Sequence, residues 1–397
     1  MKNRTIVHVL RGQPDPDTLN GVNKVVHNLA SQQNIQGMNV QVWAIVGKEP
    51  QVEYDHQYPL RIFEVQKFRF FLDESMNDSV SMMPRDTIFH LHSVFVPELY
   101  ALSRRLKKQK LKWVIAPHGG YAPGSLRKNS IAKLAYMAFF EKRLIHQASA
   151  MHAIGLYGEA DQFNNQAYKS KIGLVPNGQN LPKRFKQWSQ SPGQLALVFC
   201  GRLARAQKGL DLLLSGLQIA VANGVDARLE LIGDGPDRAA LEFMVRELNL
   251  IDRVVFHGAQ VKTEKEDLLM RADLFVHTTR WDVVPTAVLE AAGHALPVLI
   301  SPQTNLADYI EAADAGYVTR GLTAEAIAVQ IGQAASDKIS GSLWQKGLAA
   351  RSMIEQKFSW AEIAELLDDS VYSIAAPDTD SVIDKITKQH GSRTVAR

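Results

Sequence analysis

Short apolar runs alternate with amphipathic helical patterns along most of this chain, and the alternation occurs in two separate blocks. Parallel strands require crossover connections, and the connecting helices cover both faces of the sheet. The pattern therefore predicts an α/β protein with two parallel-sheet domains. The predicted strands are Ile6–Leu10, Val40–Val46, Ile88–Leu91, Trp113–Ala116 and Ala150–Ile154 in the first block, and Leu195–Phe199, Leu229–Ile232, Val254–Phe256, Leu274–Val276 and Pro297–Ile300 in the second.

Helical periodicity fills the intervals between these strands. In the first block, Gly21–Ile35 carries Val22, Val25, Val26 and Leu29 at helical spacing. The second block contains four such stretches, and one further helix follows it near the end of the chain. These predicted helices are Gly209–Val221, Asp237–Leu248, Glu264–Arg271, Thr286–His294 and Phe358–Ile374.

The polar stretch Asn177–Gln194, which contains Pro182 and Pro192, separates the two blocks. We interpret it as the region of an interdomain linker. The expected organisation is a first domain over residues 1–180, a linker over 181–194, a second domain over 195–357, a final helix over 358–374 and a poorly ordered tail over 375–397.

The composition excludes several classes of protein. Hydrophobic residues make up 46% of the chain and charged residues 22%, which excludes a wholly disordered protein. Cys200 is the only cysteine, so no disulfide forms within the chain, and we interpret this residue as a small buried hydrophobe rather than a nucleophile. No apolar run approaches the ~20 residues of a membrane-spanning helix, and the N-terminal apolar stretch is too short for a signal peptide.

Charge is distributed unequally between the two halves. Residues 1–190 contain 25 Lys and Arg against 14 Asp and Glu, which gives +11; the remaining residues contain 20 against 27, which gives −7. This asymmetry suggests that the two domains have different partners. The basic residues are not interleaved with aromatic residues and form no recognised nucleic-acid motif, so we expect no nucleic-acid partner.

A candidate anion site follows the first strand of the second block. Gly201 allows a sharp turn there, and Arg202 and Lys208 stand on opposite sides of one short loop. The helix predicted to begin near Gly209 directs its unpaired N–H groups into the same space. Two cations and a helix N-terminus at the carboxyl ends of parallel strands suit a diphosphate. The alternative is a pair of solvated loop cations.

A pair of carboxylates follows the strand Leu274–Val276. Asp282 lies in a loop and Glu290 lies about one turn into the next helix, so both can approach one ligand. Carboxylates accept hydrogen bonds from vicinal hydroxyls, which suits a ribose and a hexose. The N–H groups of Val283 and Val284 at the helix start suit a phosphate or sugar oxygen. The alternative is a helix-capping Asp and a surface Glu.

Two histidines, His90 and His92, alternate across Leu91 and therefore share one face of a strand. Their spacing suits a metal ion, but the sequence indicates no third or fourth ligand. We interpret them as two hydrogen-bonded histidines near a cleft, and we predict no metal site.

Four segments of the second block together resemble the nucleotide domain of family four retaining glycosyltransferases, which have the GT-B fold. They are FCGRLARAQKGLDLLLSGL, LELIGDGP, VVFHGAQ and WDVVPTAVLEAAGHALPVLI, in that order and spacing. The first block resembles the family more weakly, through NGVNKVVHNLA, DTIFHLHS, APHGG and VPNGQN. The resemblance covers residues 5 to about 374. It implies two Rossmann-like domains facing a cleft, with the C-terminal helix crossing back to the N-terminal domain.

The resemblance also implies roles for the residues that match the family's motifs. Arg202 and Lys208 match its diphosphate-binding cations. Asp282 matches the acidic residue that contacts the donor sugar, Glu290 the one that meets the nucleotide ribose, and His118 the active-site histidine near the transferred sugar. The expected catalytic residues are Asp282, His118, Arg202 and Lys208. The expected donor-binding residues are Gly21, Gly201, Arg202, Lys208, His257, Gly258, Asp282, Val283, Val284 and Glu290, with Gly21 near the phosphates and His257-Gly258 along the base.

Three positions depart from the family's pattern. Asp282 stands where the family has Glu, so the carboxylate is one methylene closer to the backbone. Val283 stands where the family has Gly, and its side chain crowds the expected sugar pocket. The first turn contains Asn20-Gly21 in place of Gly-Gly. These departures bear on the identity of the donor sugar more than on phosphate binding.

The activity that the resemblance implies is the retaining transfer of a hexose from a nucleotide diphosphate sugar, with a UDP-sugar favoured. The acceptor is a hydroxyl of a glycan or lipid-linked sugar, as in surface polysaccharide or glycolipid synthesis. We expect the donor on the C-terminal domain, the acceptor on the basic N-terminal domain, and no cofactor or metal beyond the nucleotide-sugar co-substrate. The alternatives are a nucleotide-sugar epimerase of GT-B-like fold and a degenerate nucleotide-sugar-binding protein.

Basic residues of the first block also predict a location for the protein. The cluster comprises Arg104, Arg105, Lys107, Lys108, Lys110, Lys112, Arg127, Lys128, Lys133, Lys142 and Arg143, the last five around an apolar helix. Lys and Arg side chains attract an anionic leaflet. We therefore expect a cytoplasmic protein with peripheral association with an anionic membrane surface through the N-terminal domain. The alternative is a solvated basic face beside a core-packed helix.

Overall fold

The computed structural model describes residues 4–15, 20–47, 55–121, 130–155, 171–188, 193–260 and 262–375. The chain divides into two compact units: Met1–Gly178 together with Trp360–Arg397 form the first, and Gln179–Ser359 form the second. The chain thus enters the second unit after Gly178 and returns to the first at Trp360. Residues 189–192 of the expected linker and the expected tail beyond residue 375 lie outside the described residues.

The described residues of each unit contain one sheet, and all the strands in them pair in parallel. The strands are β1 (Thr5–Arg11), β2 (Asn39–Val46), β3 (Leu60–Glu64), β4 (Ile88–His92), β5 (Lys112–Ala116), β6 (Ala150–Ala153), β7 (Ile172–Leu174), β8 (Leu195–Cys200), β9 (Ala227–Ile232), β10 (Val254–Gly258), β11 (Leu274–His277), β12 (Val298–Ile300) and β13 (Gly316–Val318). The strand order is β3-β2-β1-β4-β5-β6-β7 in the first unit and β10-β9-β8-β11-β12-β13 in the second. The predicted fold class of two parallel α/β domains is confirmed.

Helices connect the strands in both units. They are α1 (Gly21–Ile35), α2 (Glu74–Ser81), α3 (Pro97–Lys108), α4 (Ser130–Tyr136), α5 (Lys142–Gln147), α6 (Arg205–Lys208), α7 (Leu210–Ala222), α8 (Arg238–Glu247), α9 (Lys262–Arg271), α10 (Thr286–Gly293), α11 (Ala307–Ala313), α12 (Ala324–Ser340), α13 (Leu343–Lys357), α14 (Trp360–Leu367) and α15 (Ser373–Ala375). A π-helical stretch, Met137–Glu141, joins α4 to α5. No helix in the described part of the chain is long and apolar enough to cross a membrane.

Both sheets are covered on both faces, which explains why their central strands are continuous apolar runs in the sequence. The first sheet packs on one face against α1 and α14 and on the other against α2, α3 and α5. The second sheet packs on one face against α7, α8 and α12 and on the other against α9, α10, α11 and α13. The carboxyl ends of the strands therefore open between helix starts, which is where ligands bind in folds of this type.

Three strands that the apolar runs did not predict are β3, β7 and β13, and each lies at an edge of its sheet. β7 and β13 have three residues each, and three of the five residues of β3 are exposed. Edge strands pair on one side only, and these are short and partly solvated. They therefore lack the long apolar run that marks a central strand.

The final helix differs from the predicted Phe358–Ile374 because it is not regular along its length. It consists of α14, a π-helical stretch over Asp368–Tyr372, and α15. Its buried side chains include Ile363, Leu367 and Tyr372, which join α1 and the strands of the first sheet in one apolar cluster. The last described helix is thus part of the core of the first unit.

Candidate functional site

The carboxyl edge of the second sheet carries the residues predicted to bind the donor phosphates. β8 ends at Cys200, Gly201 and the exposed Arg202 follow, and Lys208 is the last residue of the short helix α6. The structure therefore corrects one detail of the prediction: Lys208 stands on a helical turn rather than in an open loop, and the long helix α7 starts after Gly209.

Hydrogen bonds tie the loop that carries Lys208 to the loop after β11. The Thr279 hydroxyl donates to the Gln207 carbonyl at 2.9 Å, and the Arg280 N–H donates to the same oxygen at 2.7 Å. The Arg280 guanidinium also forms two hydrogen bonds with Asp211, at 2.8 and 2.7 Å. These hydrogen bonds hold the two loops together without any contribution from a ligand.

Gly209 is required where these loops meet. Its φ of +63° lies in the left-handed region, which favours glycine. A Cβ atom at this position would lie 2.0 Å from the Thr278 carbonyl oxygen. The close approach of the two backbones thus depends on the absence of a side chain.

Lys208, Asp282 and His277 form one hydrogen-bonded group at this edge. Lys208 Nζ lies 2.5 Å from Asp282 Oδ2, and His277 Nε2 lies 3.2 Å from the same oxygen. The other carboxylate oxygen accepts a hydrogen bond from the Val283 N–H at 3.1 Å. The predicted sugar-contacting carboxylate and the predicted diphosphate-binding lysine are therefore adjacent, and Val283 N–H is bonded to Asp282 in this structure.

The protonation states of this group follow from burial and charge. Burial by itself would raise the pKa of Asp282, but the hydrogen bond from His277 and the charge of Lys208 outweigh it and lower the pKa to about 2. Burial lowers the pKa of His277, against the opposing effect of Asp282. At neutral pH, Asp282 is thus an anion and His277 is neutral, donating through Nε2–H. His277 Nδ1 is buried and has no hydrogen-bond partner among the described residues.

Glu290 pairs with a different lysine from Asp282. It lies on α10, as predicted, and its Oε1 lies 2.6 Å from Lys265 Nζ on α9. Val284 is buried in the apolar core, and Val283 is half-buried at its margin. The two predicted carboxylates thus belong to separate ion pairs. The sequence analysis missed Lys265 because no motif near it in the chain distinguishes it from other helix lysines.

His257 and Gly258 lie at the carboxyl end of β10, beside the end of β9. His257 Nε2 is 3.4 Å from Glu230 Oε2, and the Gly258 carbonyl accepts a hydrogen bond from the Gly233 N–H at 2.7 Å. These residues share the sheet edge with the lysine-carboxylate group. Burial raises the pKa of Cys200 to about 11, so its thiol is protonated, and the side chain is partly buried at the margin of the apolar core.

In the first unit, Gly21 is the first residue of α1. Asn20 caps this helix, because its Oδ1 accepts a hydrogen bond from the Val22 N–H at 3.0 Å. A Cβ atom at Gly21 would meet nothing within 4 Å. The predicted phosphate-facing glycine thus borders open space at a helix start.

Five histidines form one hydrogen-bond network with Gln33 and Tyr372 in the first unit. The contacts are His8 Nδ1 to His92 Nε2 (2.9 Å), His8 Nε2 to Gln33 Oε1 (2.7 Å), His92 Nδ1 to His118 Nε2 (2.9 Å), His90 Nδ1 to the Tyr372 hydroxyl (2.9 Å), His90 Nε2 to His152 Nδ1 (3.3 Å), His152 Nε2 to the Val175 carbonyl (2.8 Å) and Gln33 Nε2 to the Tyr372 hydroxyl (3.3 Å). Burial lowers the pKa of all five rings. The network therefore consists of neutral imidazoles.

Two oxygen acceptors at the ends of the histidine network, the Val175 carbonyl and Gln33 Oε1, determine which nitrogen of each ring carries the proton. A carbonyl oxygen only accepts, so His152 donates Nε2–H to Val175, and its Nδ1 then accepts from His90 Nε2–H. The same reasoning applies to the chain that ends at Gln33 Oε1. The rings assigned to the Nε2–H tautomer along that chain are His8, His92 and His118. Every interior donor has an acceptor, and His118 is left with Nδ1 as a hydrogen-bond acceptor.

The expectation that no third histidine accompanies His90 and His92 is wrong. Their rings do stack on one face, 4.3 Å apart, as predicted, but His8 from β1 joins them, with one nitrogen of each ring within 4.8 Å of the others. The hydrogen bonds already account for the ring nitrogens with protons alone. The sequence reasoning missed His8 because it lies far away along the chain.

The loops after β4 and β5 contain strained backbone. Ser93, Phe95 and His118 all have positive φ angles, of 83°, 59° and 50°. Such strain in residues other than glycine is typical of functional sites. The buried Glu141 fastens both loops, because it accepts hydrogen bonds from the Phe95 N–H at 3.3 Å and from the Tyr121 hydroxyl at 2.6 Å. Burial raises its pKa to about 7.

Comparison with known proteins gives this arrangement a class. Residues 182–351 match the family model described as "Glycosyl transferases group 1". The gpi3 subunit of phosphatidylinositol N-acetylglucosaminyltransferase from Schizosaccharomyces pombe is 24% identical over 199 residues, which is 50% of this chain and 42% of that protein. N-acetyl-alpha-D-glucosaminyl L-malate synthase from Bacillus anthracis is 23% identical over 198 residues, 50% of each chain. In these alignments the chain spans about half the length of the curated relatives it matches.

Among solved structures, HepE from Anabaena in complex with UDP superposes with a TM-score of 0.68 and 15% identity, covering 93% of this chain and 100% of that one. Two parallel α/β units and this likeness define the chain as a protein of the GT-B glycosyltransferase fold. The match of residues 182–351 to the glycosyl transferases group 1 model confirms the expected family resemblance.

Proposed function

We propose that this protein is a retaining glycosyltransferase that moves a hexose from a UDP-sugar to a hydroxyl of a glycan or lipid-linked acceptor, in surface polysaccharide or glycolipid synthesis. The observation that carries the proposal is the ion pair of Lys208 and Asp282 at the carboxyl edge of the second sheet, where Arg202 follows the end of β8 and α7 begins after Gly209. The names of the relatives, which include transferases acting on N-acetylglucosamine, support it. HepE structures are described with UDP and with UDP-glucose.

The cations would act on the leaving diphosphate. As the glycosidic bond breaks, negative charge grows on the phosphate oxygen, and charge-assisted hydrogen bonds from Arg202 and Lys208 strengthen. Each such bond contributes roughly 1.5–3 kcal/mol. Because the gain is largest in the transition state, it raises the rate of the chemical step and not only donor affinity. No metal ion is needed for this neutralisation.

The remaining catalytic residues would act on the sugar. Asp282 accepts hydrogen bonds from sugar hydroxyls, and Glu290 accepts them from the ribose. His118 is neutral and offers Nδ1 as an acceptor, so it suits a sugar hydroxyl that donates. In front-face attack the acceptor hydroxyl gives its proton to the departing phosphate oxygen, and this mechanism needs no dedicated protein base.

A panel of nucleotide sugars tests the proposal. A ligand that binds only the folded protein raises its melting temperature, so a UDP-sugar should raise the midpoint more than the corresponding free sugar. The stabilising donor should then lose its sugar to an acceptor glycan in a discontinuous assay. Isomerisation of the donor without acceptor would indicate an epimerase, and binding without any turnover would indicate a degenerate binding protein.

We also propose that the first unit associates with anionic membranes, since an exposed apolar patch lies beside basic residues. This apolar patch comprises Phe68, Phe71, Ile131, Leu134 and Phe139, each more than 60% exposed. Phe70 packs on Phe140 with ring centroids 4.7 Å apart, which joins the two segments of the patch. Lys142 and Arg143 are exposed next to it, whereas Arg127 and Lys128 lie outside the described residues. Each basic residue near an anionic leaflet contributes roughly 1 kcal/mol of attraction, and the apolar side chains can enter the membrane surface. Together they suit reversible binding to a membrane.

Flotation with liposomes tests the membrane proposal. The wild-type protein should float with anionic vesicles at low salt and be released at high salt, and Leu134→Asp should reduce the bound fraction. Ile339→Asp, at an exposed apolar residue of the second unit, is the matched control. Equal binding by both variants, or no binding by wild type, would mean that the charge serves another purpose, such as holding an acidic acceptor in a cytoplasmic reaction.

A further inference from the structure

His277 lies against the Asp282 loop and has no role in the proposed function so far. It is the last residue of β11 and is 1% exposed. Its ring stacks parallel to that of Phe199, with centroids 6.2 Å apart and planes 10° apart. A side chain at a strand end, buried and stacked, has few alternative rotamers. Its Nε2 atom is therefore a fixed donor aimed at Asp282 Oδ2.

Asp282 Oδ2 accepts hydrogen bonds from Lys208 and from His277. A bound nucleotide sugar would affect these two hydrogen bonds differently. Lys208 is part of the proposed diphosphate site, so a bound diphosphate would draw its ammonium group away from Asp282 or share it. His277 is neutral and buried, so it has no such competing attraction. Of the two side-chain donors to Oδ2, the imidazole is the one that remains when Lys208 turns to phosphate.

We propose that His277 is the positioning residue that keeps the Asp282 carboxylate directed at the transferred sugar while Lys208 engages the diphosphate. This inference rests on the proposed function. It also accounts for the short acidic side chain at position 282. A Glu would carry its carboxylate about 1.5 Å further from the backbone, into the space held by the imidazole and the lysine.

The effect on catalysis follows from the strength of one hydrogen bond to a charged group, which corresponds to roughly 10- to 100-fold in an equilibrium constant. His277→Leu should therefore lower kcat/KM for the UDP-sugar about 10- to 100-fold. Its affinity for UDP, which has no sugar, should stay within about twofold of wild type. His277→Gln should recover part of the loss, because its Nε2–H can donate from a similar position. His146→Leu, at an exposed histidine of α5, is the control for a histidine-to-leucine change.

A double-mutant cycle with Asp282→Glu separates positioning from general damage. In wild-type background the longer acid should lower kcat/KM because it collides with His277. In the His277→Leu background the imidazole is gone, so Asp282→Glu should cost less or restore activity. Two effects that simply multiply would overturn the proposal, because coupling between neighbouring groups is what positioning requires.

The failure of the proposed function and the failure of the role of His277 give different results. If wild type neither binds UDP nor transfers sugar from any UDP-sugar, the proposed function fails and this inference fails with it. If wild type binds and transfers while His277→Leu equals it in kcat/KM, the proposed function stands and the role of His277 is refuted. A parallel loss of UDP affinity and melting temperature in both His277 variants would show a structural role and would equally overturn positioning.

Discussion

Removing the Tyr372 hydroxyl should loosen the first unit at the place where its last helices dock. The hydroxyl is fully buried, donates to His90 Nδ1 at 2.9 Å and accepts from Gln33 Nε2 at 3.3 Å. Tyr372→Phe leaves an acceptor and a donor without partners, and each such buried group costs about 1–3 kcal/mol. The contact with Gln33 is longer and therefore weaker, so we expect a total loss of about 2–4 kcal/mol.

Urea unfolding of the whole chain measures this loss, and hydrogen exchange locates it. Protection should fall in α1, β4 and α14, while the amides of the second unit keep their rates. Tyr309→Phe is the matched control, because the Tyr309 hydroxyl has no hydrogen-bond partner among the described residues. A Tyr372→Phe protein within about 0.5 kcal/mol of wild type would refute the tautomer assignment, because the assigned network leaves no substitute donor for His90.

Four further outcomes follow from the site. Arg202→Ala and Lys208→Ala should each remove most turnover in a transfer assay while leaving the melting temperature near wild type; an unchanged rate in either would contradict the phosphate assignment. Calorimetry with UDP should show a larger loss of affinity for Glu290→Ala than for Asp282→Ala, since only the first is assigned to the ribose, and equal losses would refute that division. EDTA should leave transfer largely intact, and a metal-restored rate after chelation would count against neutralisation by Arg and Lys. Acid should destabilise the first unit: burial holds the pKa of His8 and His152 at about 4 and that of His118 at about 3, against 6.5 when unfolded. The unfolded state therefore binds the extra protons as pH drops below 6.5, and stability falls by about 1.4 kcal/mol per pH unit for each ring. Glu141, whose pKa is raised to about 7, acts in the opposite direction, but it is a single group against three. Urea titrations at pH 7 and pH 5 would check this, and equal stabilities would contradict it.

Sequence patterning predicts the central strands of both sheets well, because buried parallel strands are apolar on both faces. It predicts α1 and α10 closely, since their apolar periodicity is clear. It fails at the edges, where β3, β7 and β13 are short and solvated, and at the short helix α6, which precedes the close contact between Gly209 and Thr278. These features depend on neighbours that are distant in the chain.

The candidate site also contains residues that the sequence predicts and residues that only the fold brings together. Lys208, Asp282 and Glu290 stand in a spacing that can be recognised within one domain. No pattern in the sequence marks His277, which directly follows the predicted strand Leu274–Val276 and is in fact the last residue of β11. Lys265 is one of many helix lysines, and only the fold brings it to Glu290. Pairwise contacts of this kind require three-dimensional placement that no local pattern encodes.

The anomeric configuration of the transferred sugar is the most direct test of the central claim. The protein should be incubated with the UDP-sugar that stabilises it most and with a glycan acceptor, and the new glycosidic bond should be examined by proton NMR. We predict that sugar is transferred and that its anomeric carbon keeps the configuration it has in the donor. Transfer with inversion, or no transfer from any nucleotide sugar to any glycan or lipid-linked acceptor, would contradict the account.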